Sequence, residues 1–85
     1  MTVYDGQEFF VVLKADAEAG YGWRLAEAPN PKVARVLSAR HEGGRDFWTC
    51  EATGRGKTAM VWHYVRRADP NHTPLKVYRT AVEVR

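Results

Sequence analysis

The chain has 85 residues, 45% of them apolar, 12% aromatic and 27% charged. That is enough for one domain, spanning 1–85, with a small core, and too much aromatic mass for a disordered tail. Thirteen Lys and Arg against ten Asp and Glu leave a net charge of +3, scattered along the chain, which disfavours the clustered basic stripe of a nucleic-acid binder.

Met1-Thr2-Val3-Tyr4-Asp5 lacks the basic head and apolar middle of a signal peptide. The expected location is the cytoplasm if Met1 is the native start, and the periplasm or exterior if a leader has been removed. Gln7 to Lys14, rich in Phe and Val, reads as a strand. Its run Phe9 to Leu13 is the longest apolar stretch, far short of the ~18 residues of a membrane helix, so no membrane partner is expected. Gly22 to Ala28 sets Trp23 and Leu25 against Arg24 and Ala26. In Phe47 to Thr53, Trp48, Cys50 and Ala52 alternate with Phe47, Thr49 and Glu51. Gly54-Arg55-Gly56-Lys57 then reads as a hairpin turn, because glycine tolerates positive φ. Thr58 to Val65 places Met60, Trp62 and Tyr64 on one face. Leu75 to Val84 groups Tyr78, Thr80, Val82 and Val84. Short alternating segments between turn signals predict an all-β sandwich or small barrel.

The segment after Asn30-Pro31 admits two readings. Asn30 suits an N-cap, Pro31 a first turn and Gly43-Gly44 a stop, so local propensity favours a helix over Lys32 to Arg40. As a strand, the same residues would place Val33, Arg35, Leu37 and Ala39 on one side.

The single cysteine, Cys50, reads as a small buried apolar residue, without the positioned histidine that a nucleophile needs. His41, His63 and His72 share no metal-ligand spacing, and neither cofactor nor metal is expected. His41 and His72 fall in expected loops. The carboxylates of Asp16, Glu18, Glu42, Asp46 and Asp69 also fall mainly in expected loops, where solvated charge is the simplest account. Trp23, Trp48 and Trp62 are assigned to core packing, and Tyr21 to anchoring the loop beside Gly20. Arg66-Arg67, at a strand end, presents planar guanidinium forks suited to a partner's carboxylates or carbonyls.

Gly6-Gln7-Glu8-Phe9-Phe10-Val11-Val12-Leu13, followed by Asp16-Ala17-Glu18-Ala19-Gly20-Tyr21-Gly22-Trp23, resembles the opening of the chagasin-like inhibitors of papain-type cysteine proteases. The resemblance continues through Phe47 to Ala52, the glycine-containing turn, Tyr64-Val65-Arg66-Arg67 and the final alternating strand. It implies an immunoglobulin-like β-sandwich presenting three loops at one end to a protease cleft, and it favours turn-then-strand for the ambiguous segment. The first loop would be Asp16 to Gly20, with Tyr21. The second, usually Gly-x-Gly-Gly, maps to His41-Glu42-Gly43-Gly44. The third, usually Arg-Pro followed by an aromatic, falls near Arg67-Ala68-Asp69 with Pro70 displaced. Asp16 to Ala19 replace the family's Asn-Pro-Thr-Thr, His41 its first glycine, and the third loop lacks its aromatic.

The resemblance therefore implies a non-enzymatic inhibitor of papain-like proteases, and a monomer is expected. Its contact residues would be Asp16, Glu18, Ala19, Gly20, Tyr21, Glu42, Gly43, Gly44, Arg66, Arg67 and Ala68. The second reading is a non-inhibitory interaction or scaffold module of the same fold.

Overall fold

The inward alternation read for Phe47 to Thr53 organises the molecule. A computed structural model describes residues 1–16, 19–69 and 71–85, and among them are seven strands and no helix. These are β1 (Thr2–Val3), β2 (Glu8–Lys14), β3 (Tyr21–Glu27), β4 (Ala34–Glu42), β5 (Arg45–Ala52), β6 (Gly56–Arg66) and β7 (Lys76–Val84). They form two facing sheets, ordered β1-β7-β6-β3 and β2-β5-β4. The β1–β7 pair is parallel and the others are antiparallel. The chain is an all-β sandwich.

Trp48, Cys50 and Ala52 of β5 are buried, as are Met60, Trp62 and Tyr64 of β6. Trp48 and Trp62 meet at the centre, ring centroids 5.4 Å apart and planes tilted by 57°. Such a tilted aromatic pair contributes about 0.5–1.5 kcal/mol beyond its burial. Phe9 and Val11 of β2 and Val82 and Val84 of β7 complete the layer, with Trp23 partly buried against it. These inner faces follow the period-2 pattern of the sequence. β1 was not foreseen, being too short to show any alternation.

Three readings are corrected. The expected helix over Lys32 to Arg40 is a single turn followed by β4. Asn30 does cap that turn, its carbonyl accepting from Val33 N and Ala34 N at 2.9 and 3.0 Å and its Oδ1 from Lys32 N at 3.0 Å. The ladder with β5 then overrides a weak local preference. The strand alternative had the right element but the wrong faces. A bulge between Val36 and Ser38 shifts the register, so Val36 and Ala39 oppose the inward Cys50 and Trp48 while Leu37 is exposed. Finally, 54–57 closes no hairpin. β5 already has β2 and β4 at its two edges, and the chain crosses to the other sheet to begin β6. It passes so close to the 31–33 turn that a Cβ on Gly54 would collide with the Lys32 carbonyl.

Only the β4–β5 and β6–β7 connections stay within one sheet. Together with the β2–β3 connection, they place three loops at the same end.

Candidate functional site

That end is held by main-chain bonds with the first loop in the middle. Ala15 N donates to Gly44 O at 2.9 Å, tying the β2–β3 loop to the β4–β5 hairpin. Arg67 N donates to Gly20 O at 2.8 Å, tying it to the β6–β7 loop. Gly43 and Gly44 have φ of 59° and 74°. With Glu42 opposite Arg45, they form a two-residue turn that needs positive φ at both positions, which only glycine adopts at little cost. The same pair that looked like a helix stop is thus the tip of the second loop.

Tyr64 is the hub beneath the loops. It is buried, and its hydroxyl accepts from Asp16 N at 2.8 Å. Tyr21 stacks on it at 5.6 Å and Trp23 lies tilted against it at 5.0 Å. Lys76 Nζ stands 5.4 Å from the ring centroid. Trp23 is secured in turn by its indole N–H donating to Lys14 O at 2.9 Å. A cleft of about 550 Å³ opens beside this hub, lined by Lys14, Asp16, Gly44, Arg45, Tyr64 and Lys76.

Asp46 is the polar pin between the sheets, and here the expectation of solvated loop charge fails. It belongs to β5 and is only 6% exposed. Its Oδ2 accepts from Trp23 N of the facing sheet at 2.9 Å. Its Oδ1 lies 2.7 Å from His41 Nδ1 and 3.9 Å from Arg67 Nη2. A buried carboxylate is tolerated when donors surround it in this way. His41, also expected in a loop, is its cross-strand neighbour on β4. The sequence held a signal for Asp46. It is the next position toward the N-terminus on the inward series Trp48, Cys50 and Ala52, and extending that period would have placed it inside.

The remaining residues divide by location. Asp16 is exposed, and its Oδ1 accepts from Ala19 N at 3.1 Å, forming a turn within the loop. Gly20 has φ of 81°. Tyr21 opens β3, half-buried. Arg66 closes β6, its guanidinium 5.9 Å from the Tyr21 ring and 3.4 Å from that hydroxyl. This hydrogen bond pushes the Arg66 pKa above its ordinary value. Arg67 folds back over Gly22, where a Cβ would meet its Nε at 2.7 Å. The bare glycine lets the guanidinium lie near Asp46. Glu42, the last residue of β4, pairs with Arg40 at 3.0 Å in full exposure, and such pairs contribute little. Ala68 is exposed at the turn after β6. Glu18 lies outside the described residues. Thus Asp16, Ala19, Gly20, Tyr21, Gly43, Gly44, Arg66, Arg67 and Ala68 come to one end. Glu42 flanks the Gly43–Gly44 turn at the same end, with its carboxylate paired to Arg40. Asp46, Tyr64 and Lys76 were missed, because residues far apart in sequence meet only once the sheets face each other.

Cys50 lies far from this chemistry, in the core. It is fully buried, and burial pushes its thiol up to about 11, so it is neutral near pH 7.

No protein family's sequence profile matches the chain, and no curated protein matches it. Among solved structures, its fold is similar to the crystal structure of the cysteine protease inhibitor EhICP2 from Entamoeba histolytica. The TM-score is 0.76 and the identity 13%, over 99% of this chain and 96% of that one. The likeness is one of fold: this is a sandwich of the chagasin type.

Proposed function

We propose that the chain is a proteinaceous, non-enzymatic inhibitor of papain-like cysteine proteases that fills the active-site cleft with its three loops. The observation that carries this reading is the cross-tying of the first loop to both others by main-chain bonds at one end of the sandwich. Loops fixed before binding lose less conformational entropy on entering a cleft. Occlusion needs no chemistry from the inhibitor, only a rigid wedge, and an interface of roughly 800 Å² per partner is enough for tight binding. The fold shared with EhICP2, itself a cysteine protease inhibitor, supports the same reading. Tyr21 and the Gly43–Gly44 turn shape the wedge, and Arg67 holds its third loop against Asp46.

One observation favours the second reading, a non-inhibitory interaction module. The third loop presents the exposed Asp69 where the resemblance calls for an aromatic, so one stacking contact is lost.

The test is a titration of the folded chain into papain and a cathepsin-L-like protease, following hydrolysis of a fluorogenic peptide. Reversible, stoichiometric inhibition is expected, weakened by Tyr21→Ala or Arg67→Ala in proteins that remain folded. Full protease activity at about micromolar folded chain, where standard-size interfaces normally bind, would sink the inhibitor reading in favour of the module.

A further inference from the structure

Each sheet has two edges, and the four edge strands differ. β1 has only two residues. β3 and β4 each carry a register shift, at Leu25/Glu27 and Val36/Ser38, the kind of bulge that blunts an edge against pairing. β2 has none of these protections. It runs seven residues without proline and in unbroken register with β5 from Glu8 to Lys14.

The hydrogen-bonding parity of β2 follows from its two flanks. Ala52 N donates to Gln7 O, and Ala15 N donates to Gly44 O. Odd-numbered residues therefore face β5. By the alternation of an antiparallel ladder, the N–H and C=O groups of Glu8, Phe10 and Val12 and the N–H of Lys14 point to the open edge, while the Lys14 carbonyl already accepts the Trp23 indole N–H at 2.9 Å and keeps one lone pair. The side chains of those same residues form the outer face, where Phe10 is 60% and Val12 45% exposed.

The sequence Glu8-Phe9-Phe10-Val11-Val12-Leu13-Lys14 is complementary to itself when reversed about Val11. Two antiparallel copies oppose Glu8 to Lys14 and Phe10 to Val12, each pair occurring twice. These are the residues whose outward backbone groups would bond across the junction, the Lys14 carbonyl with the lone pair that the Trp23 indole leaves it, so charge, apolar contact and hydrogen-bond parity select one register. Opposite charges and aromatic–β-branched contacts are favourable cross-strand pairs.

From this we infer that β2 is a self-association edge, joining two copies of the chain through an antiparallel β2–β2 pair centred on Val11 into one continuous six-stranded sheet. This replaces the monomer expected from the sequence, and it does not depend on protease inhibition. Since β2 runs into the first loop, the two-fold axis would send the loop ends of the two copies in opposite directions, leaving both free.

Sedimentation velocity on the full chain tests it. A single strand pair falls below standard interface size, so the expected transition from monomer to dimer lies at roughly 10–100 µM. Glu8→Lys alone and Lys14→Glu alone should each stay monomeric through like-charge repulsion, with unchanged circular dichroism. Mixing those two variants should restore the dimer, because each then supplies the charges the other lacks. Val12→Pro, which removes a donor only from the open edge, should also abolish it. The inference is overturned if the wild-type chain sediments only as a 9.7 kDa species up to about 1 mM, well above the weakest specific interfaces. It is equally overturned if a dimer survives the single charge reversals, or if the mixture stays monomeric.

Discussion

Asp46 and Cys50 stand four positions apart on β5, turn to the same inner face, and are both buried. Their surroundings differ in kind. Cys50 sits among Trp48, Met60 and Trp62, where nothing stabilises a charge, and its thiol is driven toward the neutral form. Asp46 sits where β3, β4 and the chain after β6 converge, with the Trp23 N–H, the His41 ring and the Arg67 guanidinium around it. The centre of the sandwich gains stability by excluding water from apolar surface. Its loop end gains geometry by satisfying one carboxylate from three segments. Adjacent turns of a single alternation thus serve cohesion and positioning.

The largest test of this contrast is Trp62→Ala. The side chain is fully buried and packs at a tilt against both Trp48 and Tyr78, so truncation should cost about 3–5 kcal/mol. The indole N–H has no partner among the described residues, so no hydrogen bond is lost with it. Urea unfolding should show a lower midpoint, while, on the proposed inhibitor reading, inhibition by the fraction still folded should be unchanged. Asp46→Ala should cost less, about 1–3 kcal/mol, because it strands the part-buried main-chain N–H of Trp23. On the proposed inhibitor reading its signature is the reverse: inhibition should weaken more than stability does, as the third loop loses its anchor. Equal inhibition by Asp46→Ala and wild type would show that the pin contributes only cohesion.

The effect with the narrowest window appears only in alkali. The folded Cys50 thiol titrates near 11 against an ordinary 9.0, so between those values the folded state holds more protons than the unfolded one. The thiol's contribution is fully present below pH 9 and is lost as pH rises through 11, about 3 kcal/mol at most by linkage. Cys50→Ala should flatten this part of the stability–pH curve in urea titrations between pH 8 and about 11. An unchanged slope would mean that other groups carry it.

The two regions also differed in how far they could be read in advance. Trp48, Cys50, Met60 and Trp62 were placed correctly because apolar alternation is a local pattern and burial rewards it directly. The helix expected after Pro31 failed because Asn30 and Pro31 do start a turn, and only pairing with β5, invisible in that segment, ends it. The strand alternative groups Leu37 with Ala39 on one side because a bulge leaves no mark in a period-2 pattern. The glycines at 54 and 56 suggested a hairpin, since close backbone approach and chain reversal use the same residue. Tyr64 was assigned to the inner face, but its bond to Asp16 and its stack on Tyr21 join positions 48 and 43 residues apart, which no spacing rule connects.

The ties among the three loops have a consequence for variation. The bonds from Ala15 to Gly44 and from Arg67 to Gly20 run between backbone groups, which every residue except proline can supply as donor and every residue as acceptor. The exposed Ala19, Ala68 and Asp69 can therefore be rewritten while the frame that carries them is retained. The arrangement is a display scaffold, in which recognition can drift or be redesigned at the tips without renegotiating the fold. A combinatorial library at these positions, selected against proteases of different specificity, would begin from loops already held in place.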